Sequence, residues 1–438
     1  MKKTLTSILL ACLILSSSLY SCADGDYISE TPDINTGENT SDTSLSSADV
    51  EDEKDSLTEK ISFDAAPKTV SHDVDSISVT DFSLKLFNSA YKSGENTLLS
   101  PLSVMYAFGL LTLGAEGNTL SQIEDVLGFE RDELSANLNA IRQSLKSSEF
   151  EKISLAESVW FKNFGFTANE DFLKSCSENY VAEIFTSPFD NSTKDDINNW
   201  VEDNTFGMIK DVLDEIPEDA VMYLINTLAF DCEWAVKYNE YSIRSGEFTD
   251  EGGTVREVEF MSSEENHYLE GEDYTGFIKY YANHNYGFAA LLPNDGVTVG
   301  ELISSLDASE LNDKLSSPEV SYVVQTKTPK FSYDYGIEMS DVLKSMGMTD
   351  AFDSSRADLT GLGKADGNIY LDRVIHKTFI EVAESGTRAG AATVIEAIEE
   401  TAMEPLNVKY VTLDRPFVFI IFETKNFTPM FIGTYEKE

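Results

Sequence analysis

Residues Glu384 to Thr393 read Glu-Ser-Gly-Thr-Arg-Ala-Gly-Ala-Ala-Thr, a stretch able to form a strand but not obliged to. In alternation, Thr387, Ala389, Ala391, Thr393, Ile395 and Ala397 share one face, and Arg388, Gly390, Ala392, Val394 and Glu396 share the other. Both charges fall on the second face, the period-2 mark of a strand with one buried side. The first face is made mostly of small residues. Burial worth roughly 25 cal/mol per Å² of apolar surface anchors such a face weakly. Upstream, Asn368 to Glu384 reads as one long strand. A segment of open conformation that follows a committed strand, with apolar runs beyond it, is an internal loop and not a tail.

The N-terminus is a targeting segment. Lys2 and Lys3 precede the apolar run Ile8 to Leu15, which is too short to span a bilayer. The run ends in Leu19-Tyr20-Ser21-Cys22, which resembles the lipobox of bacterial lipoproteins and implies acylation of Cys22. Residues 1–22 are therefore expected to be a signal peptide. Residues 23–75, rich in Ser, Thr, Asp, Glu and Asn, read as a disordered acidic tether that cannot offset its chain entropy by burial. The cluster Glu51 to Asp55 lacks the ligand spacing and turn glycine of a calcium loop and reads as a solvated charge run. A net charge of −45 argues against nucleic acid and anionic membrane surfaces as partners and favours cationic ones. Cys176 and Cys232, the two cysteines remaining in a mature chain, are expected to be free.

Residues 76–438 read as a folded body of mixed helices and strands without a repeat, which indicates α+β. Asp81 to Phe87 has helical spacing. Asn96 to Phe108 gives a short strand and a helix opening at a Ser100-Pro101 cap. In order, Asn96–Phe129, Ala156–Phe161, Ile197–Ile209, Leu224–Phe230 with Trp234, Thr328–Phe331, Met339–Gly361, Arg415–Phe422 and Thr428–Gly433 resemble the successive pieces of the serpin family. The decapeptide after Glu384 resembles the hinge of that family's reactive loop. The resemblance implies one domain with a large, mostly antiparallel sheet, two further sheets, about nine helices and an exposed loop at about residues 385–405. It assigns Glu384, Gly386, Thr387, Arg388, Ala389, Gly390, Ala391 and Ala392 to the hinge. Trp234 goes to the top of the sheet where the hinge enters. By the same resemblance Ser100, Ser103, Asn226 and His376 are expected to form a polar "shutter" cluster beneath the sheet.

Catalysis and metal binding find little support. There is no G-x-S-x-G elbow, no H-E-x-x-H, no Cys/His pair at zinc spacing and no phosphate-cradling glycine loop. No cofactor, no metal and no enzymatic activity are expected. By resemblance the scissile bond lies at the seventeenth residue counted from Glu384, between Glu400 and Thr401, with slipped alternatives after Thr401, Ala402 or Met403. The small apolar residues there suit an elastase-like protease; Glu400 suits a glutamate-specific one. The implied function is suicide inhibition of a serine protease by acyl-enzyme trapping and loop insertion into the large sheet. The alternatives are a non-inhibitory serpin acting as a surface binding protein, or an inhibitor of a glutamate-specific or cysteine protease. The expected form is an extracellular monomer, either anchored to the cell surface through Cys22 or secreted.

Overall fold

Helix Ser76–Ala90 opens the body, capped by Asp75, whose carboxylate accepts from the Ser78 amide at 3.1 Å. Its Val79, Phe82, Leu86 and Phe87 are buried, the spacing of one helical face. This computed structural model describes residues 59–62, 71–218, 220–372, 374–387 and 407–437. The expected Ser-Pro signal appears as helix Pro101–Thr112. Ser100 Oγ accepts from the Ser103 amide, and Pro101 stands at the first helical position, where its missing N–H costs nothing. That helix is buried on almost every side and lies against the large sheet.

Seven strands make the large sheet: β1 (Glu59–Ile61), β2 (Glu151–Lys162), β3 (Glu183–Ser187), β4 (Met222–Glu233), β5 (Phe331–Glu338), β6 (Ile375–Val382) and β7 (Gly386–Thr387). Their order across the sheet is β1-β3-β2-β4-β7-β6-β5. All neighbours are antiparallel except β2 and β3. A six-stranded sheet contains the fully buried strands Tyr286–Pro293, Phe417–Glu423 and Pro429–Tyr435. A four-stranded sheet joins Arg244–Thr249, Val255–Glu265, Tyr322–Pro329 and Asn407–Thr412, and a small pair joins Phe166–Ala168 to Gly363–Ala365. With nine α-helices among the described residues, the architecture is the expected α+β one. Residues 55–438 form one compact unit.

Two expectations change. The long strand foreseen over Asn368 to Glu384 is only Ile375–Val382. Its partner β5 ends at Glu338, opposite Ile375, so no ladder is available further upstream. There the Asn368 side chain donates to the Ser354 and Ala357 carbonyls, and the Leu371 amide to Ala351. The second change lies inside the segment read as tether. Glu59–Ile61 pairs antiparallel with β3 and covers the sheet's edge. Lys60 meets Glu183 at 2.8 Å, and Ile61 packs against the core.

Candidate functional site

The large sheet has a seam. Strands β4 and β6 are parted by β7, which is two residues long: Gly386 faces Glu233, and Thr387 lies between Cys232 and Val382. Below β7 a cavity of about 640 Å³ separates Leu224–Leu228 of β4 from Val374–Thr378 of β6 and its approach. Helix Asn191–Asn204 and the chain after it cover this gap, contributing Val201, Ile209, Val212 and Leu213. Asn198 fastens that covering: it donates to the Leu213 carbonyl and accepts from the Val212 and Leu213 amides at 2.9–3.0 Å. Lys377 of β6 donates to the Asp211 carbonyl.

At the upper end the chain entering the seam is held from several directions. The Trp234 amide donates to Ser385 O and the Tyr238 amide to Glu384 O, both at 2.9 Å. The Trp234 indole donates to the Ala383 carbonyl at 2.9 Å, and its ring stacks on Tyr281 at 4.5 Å. Glu384 pairs with Lys330 at 2.8 Å. Partial burial opposes ionisation of Glu384, but the Lys330 hydrogen bond overrides it and holds the carboxyl below its ordinary value. The same bond holds the Lys330 ammonium above its own. Gly386 is required: a Cβ there would collide with the Cys232 carbonyl. Thr387 is only 3% exposed, and its hydroxyl meets Tyr281 Oη at 2.6 Å. Thr387, assigned to the hinge within a loop expected to be exposed from about residue 385, is instead seated in the sheet, because the small Gly-Thr pair fits the mouth and finds a buried phenol.

At the lower end the sequence-identified polar residues meet in one chain of hydrogen bonds. The Ser100 amide donates to His376 Nε2 at 3.1 Å, and the Ser103 hydroxyl donates to Asn226 Oδ1. Asn226 then donates to Glu157 at 3.2 Å. Burial lowers the His376 pKa to about 4, so the imidazole is neutral and free to accept. Burial raises the Glu157 carboxyl to about 8, against the opposing pull of Arg142. Glu157 and Tyr281 were not singled out from the sequence. The one signal for Glu157 is a charge on the alternating pattern of a strand; Tyr281 had none.

Arg388, Ala389, Gly390, Ala391, Ala392, Glu400, Thr401, Ala402, Met403 and Cys22 lie outside the described residues. No helix among the described residues is long and apolar enough to cross a membrane. Among the same residues no group of three or more His, Cys, Asp or Glu is arranged to hold a metal ion. Cys176 and Cys232 are free and buried.

The chain has counterparts among known proteins. The family model described as Serpin (serine protease inhibitor) matches residues 77–437. Neuroserpin of Homo sapiens is 28% identical over 380 residues, covering 81% of this chain and 90% of that protein. The crystal structure of the thermophilic serpin tengpin in its native state superposes with a TM-score of 0.80 at 41% identity, over 85% of this chain and 97% of tengpin. Against tengpin in its latent state the TM-score is 0.74 at 39% identity, over 84% of this chain and 99% of that one.

Proposed function

The chain belongs to the serpin family, whose members are generally protease inhibitors, and we propose that it is a suicide inhibitor of elastase-like serine proteases. The observation that carries this reading is the seam itself: a strand position between β4 and β6 that, among the described residues, Gly386 and Thr387 occupy, with a cavity lined by both strands below them. The greater similarity to a native than to a latent serpin structure supports taking the gap as unfilled. Continued in the register of β7, Ala389 falls opposite Phe230 and Ile380, Ala391 opposite Leu228 and Thr378, and Thr393 opposite Asn226 and His376. Small uncharged residues thus meet the inner face, and Arg388 falls between Asp231 and Glu381 on the outer one.

The chemistry belongs to the protease. Its serine Oγ attacks the carbonyl carbon of the residue before the scissile bond, the new amine leaves with a proton, and an ester joins enzyme to inhibitor. The freed upstream strand then enters the seam, gaining ladder hydrogen bonds along β4 and β6. The ester and the attached protease are carried with it, and distortion of the protease site stops deacylation. The polar chain from His376 to Glu157 must be remade as the strands part, so it sets how easily the seam opens. Thr401, Ala402 and Met403 fit an elastase-like pocket, and Glu400 fits a glutamate-specific one. The protein is read as a monomer anchored at Cys22, with a serine protease as partner.

The test is incubation with elastase-like and glutamate-specific proteases, followed by denaturing electrophoresis. A band at the summed mass that survives boiling is expected with the elastase-like enzyme. Clean cleavage by every protease, with no such band, would sink the inhibitory reading and leave a non-inhibitory serpin. Cys22→Ala is expected to move the protein from the membrane to the soluble fraction.

A further inference from the structure

Beneath the mouth of the seam a lysine is buried where an apolar side chain would suffice. Lys279 lies on strand Tyr274–Tyr280, next to the buried Phe277 and Ile278, and is itself 1% exposed. Among the described residues its ammonium reaches one acceptor, Glu265 Oε1 at 2.7 Å. Glu265 is the last residue of strand Val255–Glu265 and also accepts from the Ser263 hydroxyl at 2.6 Å. The pair therefore ties the six-stranded sheet to the four-stranded one. Burial lowers the pKa of the ammonium, and Glu265 works against that loss. An ammonium has three donors, and one carboxylate oxygen accounts for only one of them.

The ammonium also faces two aromatic rings. Nζ stands 4.4 Å from the centroid of Tyr238 and 5.7 Å from that of Trp234, both within reach of a cation–π contact. The two rings meet edge to face at 6.2 Å, and the Tyr238 hydroxyl is fixed by Thr328 at 3.2 Å. These are the two residues that carry the hinge. The Trp234 indole holds the Ala383 carbonyl, the Tyr238 amide holds that of Glu384, and the Trp234 amide holds that of Ser385. Gly386 and Thr387 of β7 come next. One buried charge thus underlies three successive contacts to the chain entering the seam, while its own hydrogen bond goes elsewhere.

We propose that Lys279, held by Glu265, is a positioning residue for the hinge: its charge fixes the Trp234 and Tyr238 rings in the orientation that seats Gly386 and Thr387 between β4 and β6. Without the charge the rings turn, the three carbonyls lose their donors, and β7 leaves the mouth. Lys330 grips Glu384 directly, whereas Lys279 acts through the aromatic pair. A further consequence rests on the inhibitory reading above: a hinge that has left the mouth enters the seam late, and more of the protein is cut as substrate.

Hydrogen exchange of the Trp234 and Tyr238 amides reads the hinge contacts without any protease. Lys279→Met combined with Glu265→Gln removes the pair as a unit, so no lone charge is left buried. Tm is expected to stay close to the parent's, while exchange at Trp234 and Tyr238 speeds up about tenfold, the worth of one desolvated cation–π contact. Strand Phe417–Glu423 is the control and should exchange as before. Lys279→Gln, which keeps a donor for Glu265 but places no cation over the rings, should show the same pattern. Unchanged protection at Trp234 and Tyr238 in either variant overturns the proposal. So does a rise shared equally by Phe417–Glu423, which makes the pair a general support of the fold. Covalent complex with an elastase-like protease should fall in both variants as cleaved inhibitor rises, and a parental yield of complex despite faster exchange also overturns the proposal. If the parent itself forms no complex, the inhibitory reading fails, and the positioning role stands on the exchange result.

Discussion

The six-stranded sheet and the seam of the large sheet are built from the same chain under opposite rules. Strands Tyr286–Pro293, Phe417–Glu423 and Pro429–Tyr435 are buried at every residue, and their aromatic rings interlock: Phe288 stacks on Phe419 at 5.6 Å, and Phe417 lies tilted against Tyr435 at 5.8 Å. Nothing there is left to form. Between β4 and β6 the described residues supply Gly386 and Thr387, a cavity of about 640 Å³ lies between the two strands below them, and histidine and glutamate side chains are held away from their ordinary pKa values. Interiors are normally close-packed, and unfilled volume is destabilising. On the proposed reading, the difference teaches where the molecule keeps free energy in reserve: the first region supplies a rigid support, and the second supplies the place where a strand is inserted.

The largest expected effect tests that contrast directly. Cleavage within the loop at 388–403 is expected to raise Tm well above that of the intact protein, measured by calorimetry before and after proteolysis. A cut protein melting at or below the intact one would break the comparison, because the seam would then hold no reserve. Phe419→Ala in the packed sheet is expected to lower stability by about 3–5 kcal/mol in denaturant titrations. The inhibitory stoichiometry of the folded fraction should stay unchanged. If that substitution alters stoichiometry while stability holds, the two regions are not separable in the way described.

Thr387→Arg places a charge where the Tyr281 hydroxyl now meets a threonine. The variant is expected to fold with its hinge out of the sheet, losing about 1 kcal/mol with the hydrogen bond. It should be cut as a substrate, with the covalent complex largely gone. Arg388→Thr, one position on and facing outward in the same register, should change inhibition little. The opposite pattern would shift the register by one residue.

The smallest effect is a gradual one with pH. His376 is neutral in the folded protein, with a pKa near 4 against about 6.5 for a free imidazole. Its contribution is therefore complete above about pH 6.5 and is lost as pH falls toward 4, because the unfolded chain takes up the proton first. Glu157, raised to about 8, works in the other direction: its contribution is present at low pH and falls as pH rises from about 4.5 to 8. Over pH 4.5–6.5 the two partly cancel. His376→Gln should flatten the acid limb of a stability profile, and Glu157→Gln the alkaline limb. A His376→Gln profile identical to the parent's would mean that the imidazole is not buried neutral.

Much of this was legible before any coordinates. The Ser100-Pro101 cap and the helix after it rest on local rules that a single segment obeys alone, and the strand leading to Trp234 and the Gly386-Thr387 entry were legible through the resemblance to the serpin family. What escaped depends on meetings between distant segments. Tyr281 becomes important only because Thr387, 106 residues away, arrives beside it. Glu157 is one polar residue among several on an alternating strand until Asn226 and the interior close over it. Asn368 to Asp372 looked like strand because its side chains suit one, yet β5 had ended and left no edge to pair with. Glu59–Ile61 is three residues in an acidic stretch, below the length at which alternation is visible.

That short strand has a mechanical consequence. Glu59, the first residue of β1, is the first described residue of the chain, and a load that reaches it acts on this strand. Among the described residues, what resists it there is the pairing of three residues with β3, the packing of Ile61 against the core and a solvent-facing contact, Lys60 to Glu183, whose side chains are 52% and 41% exposed. The strand on the other side of β3 is β2, paired with β4 over eleven residues. Under tension β1 therefore peels first, as a weak link that yields while the sheet behind it stays whole. A pull on β1 itself is met at the rim of the sheet, with β3 and β2 standing between it and the seam.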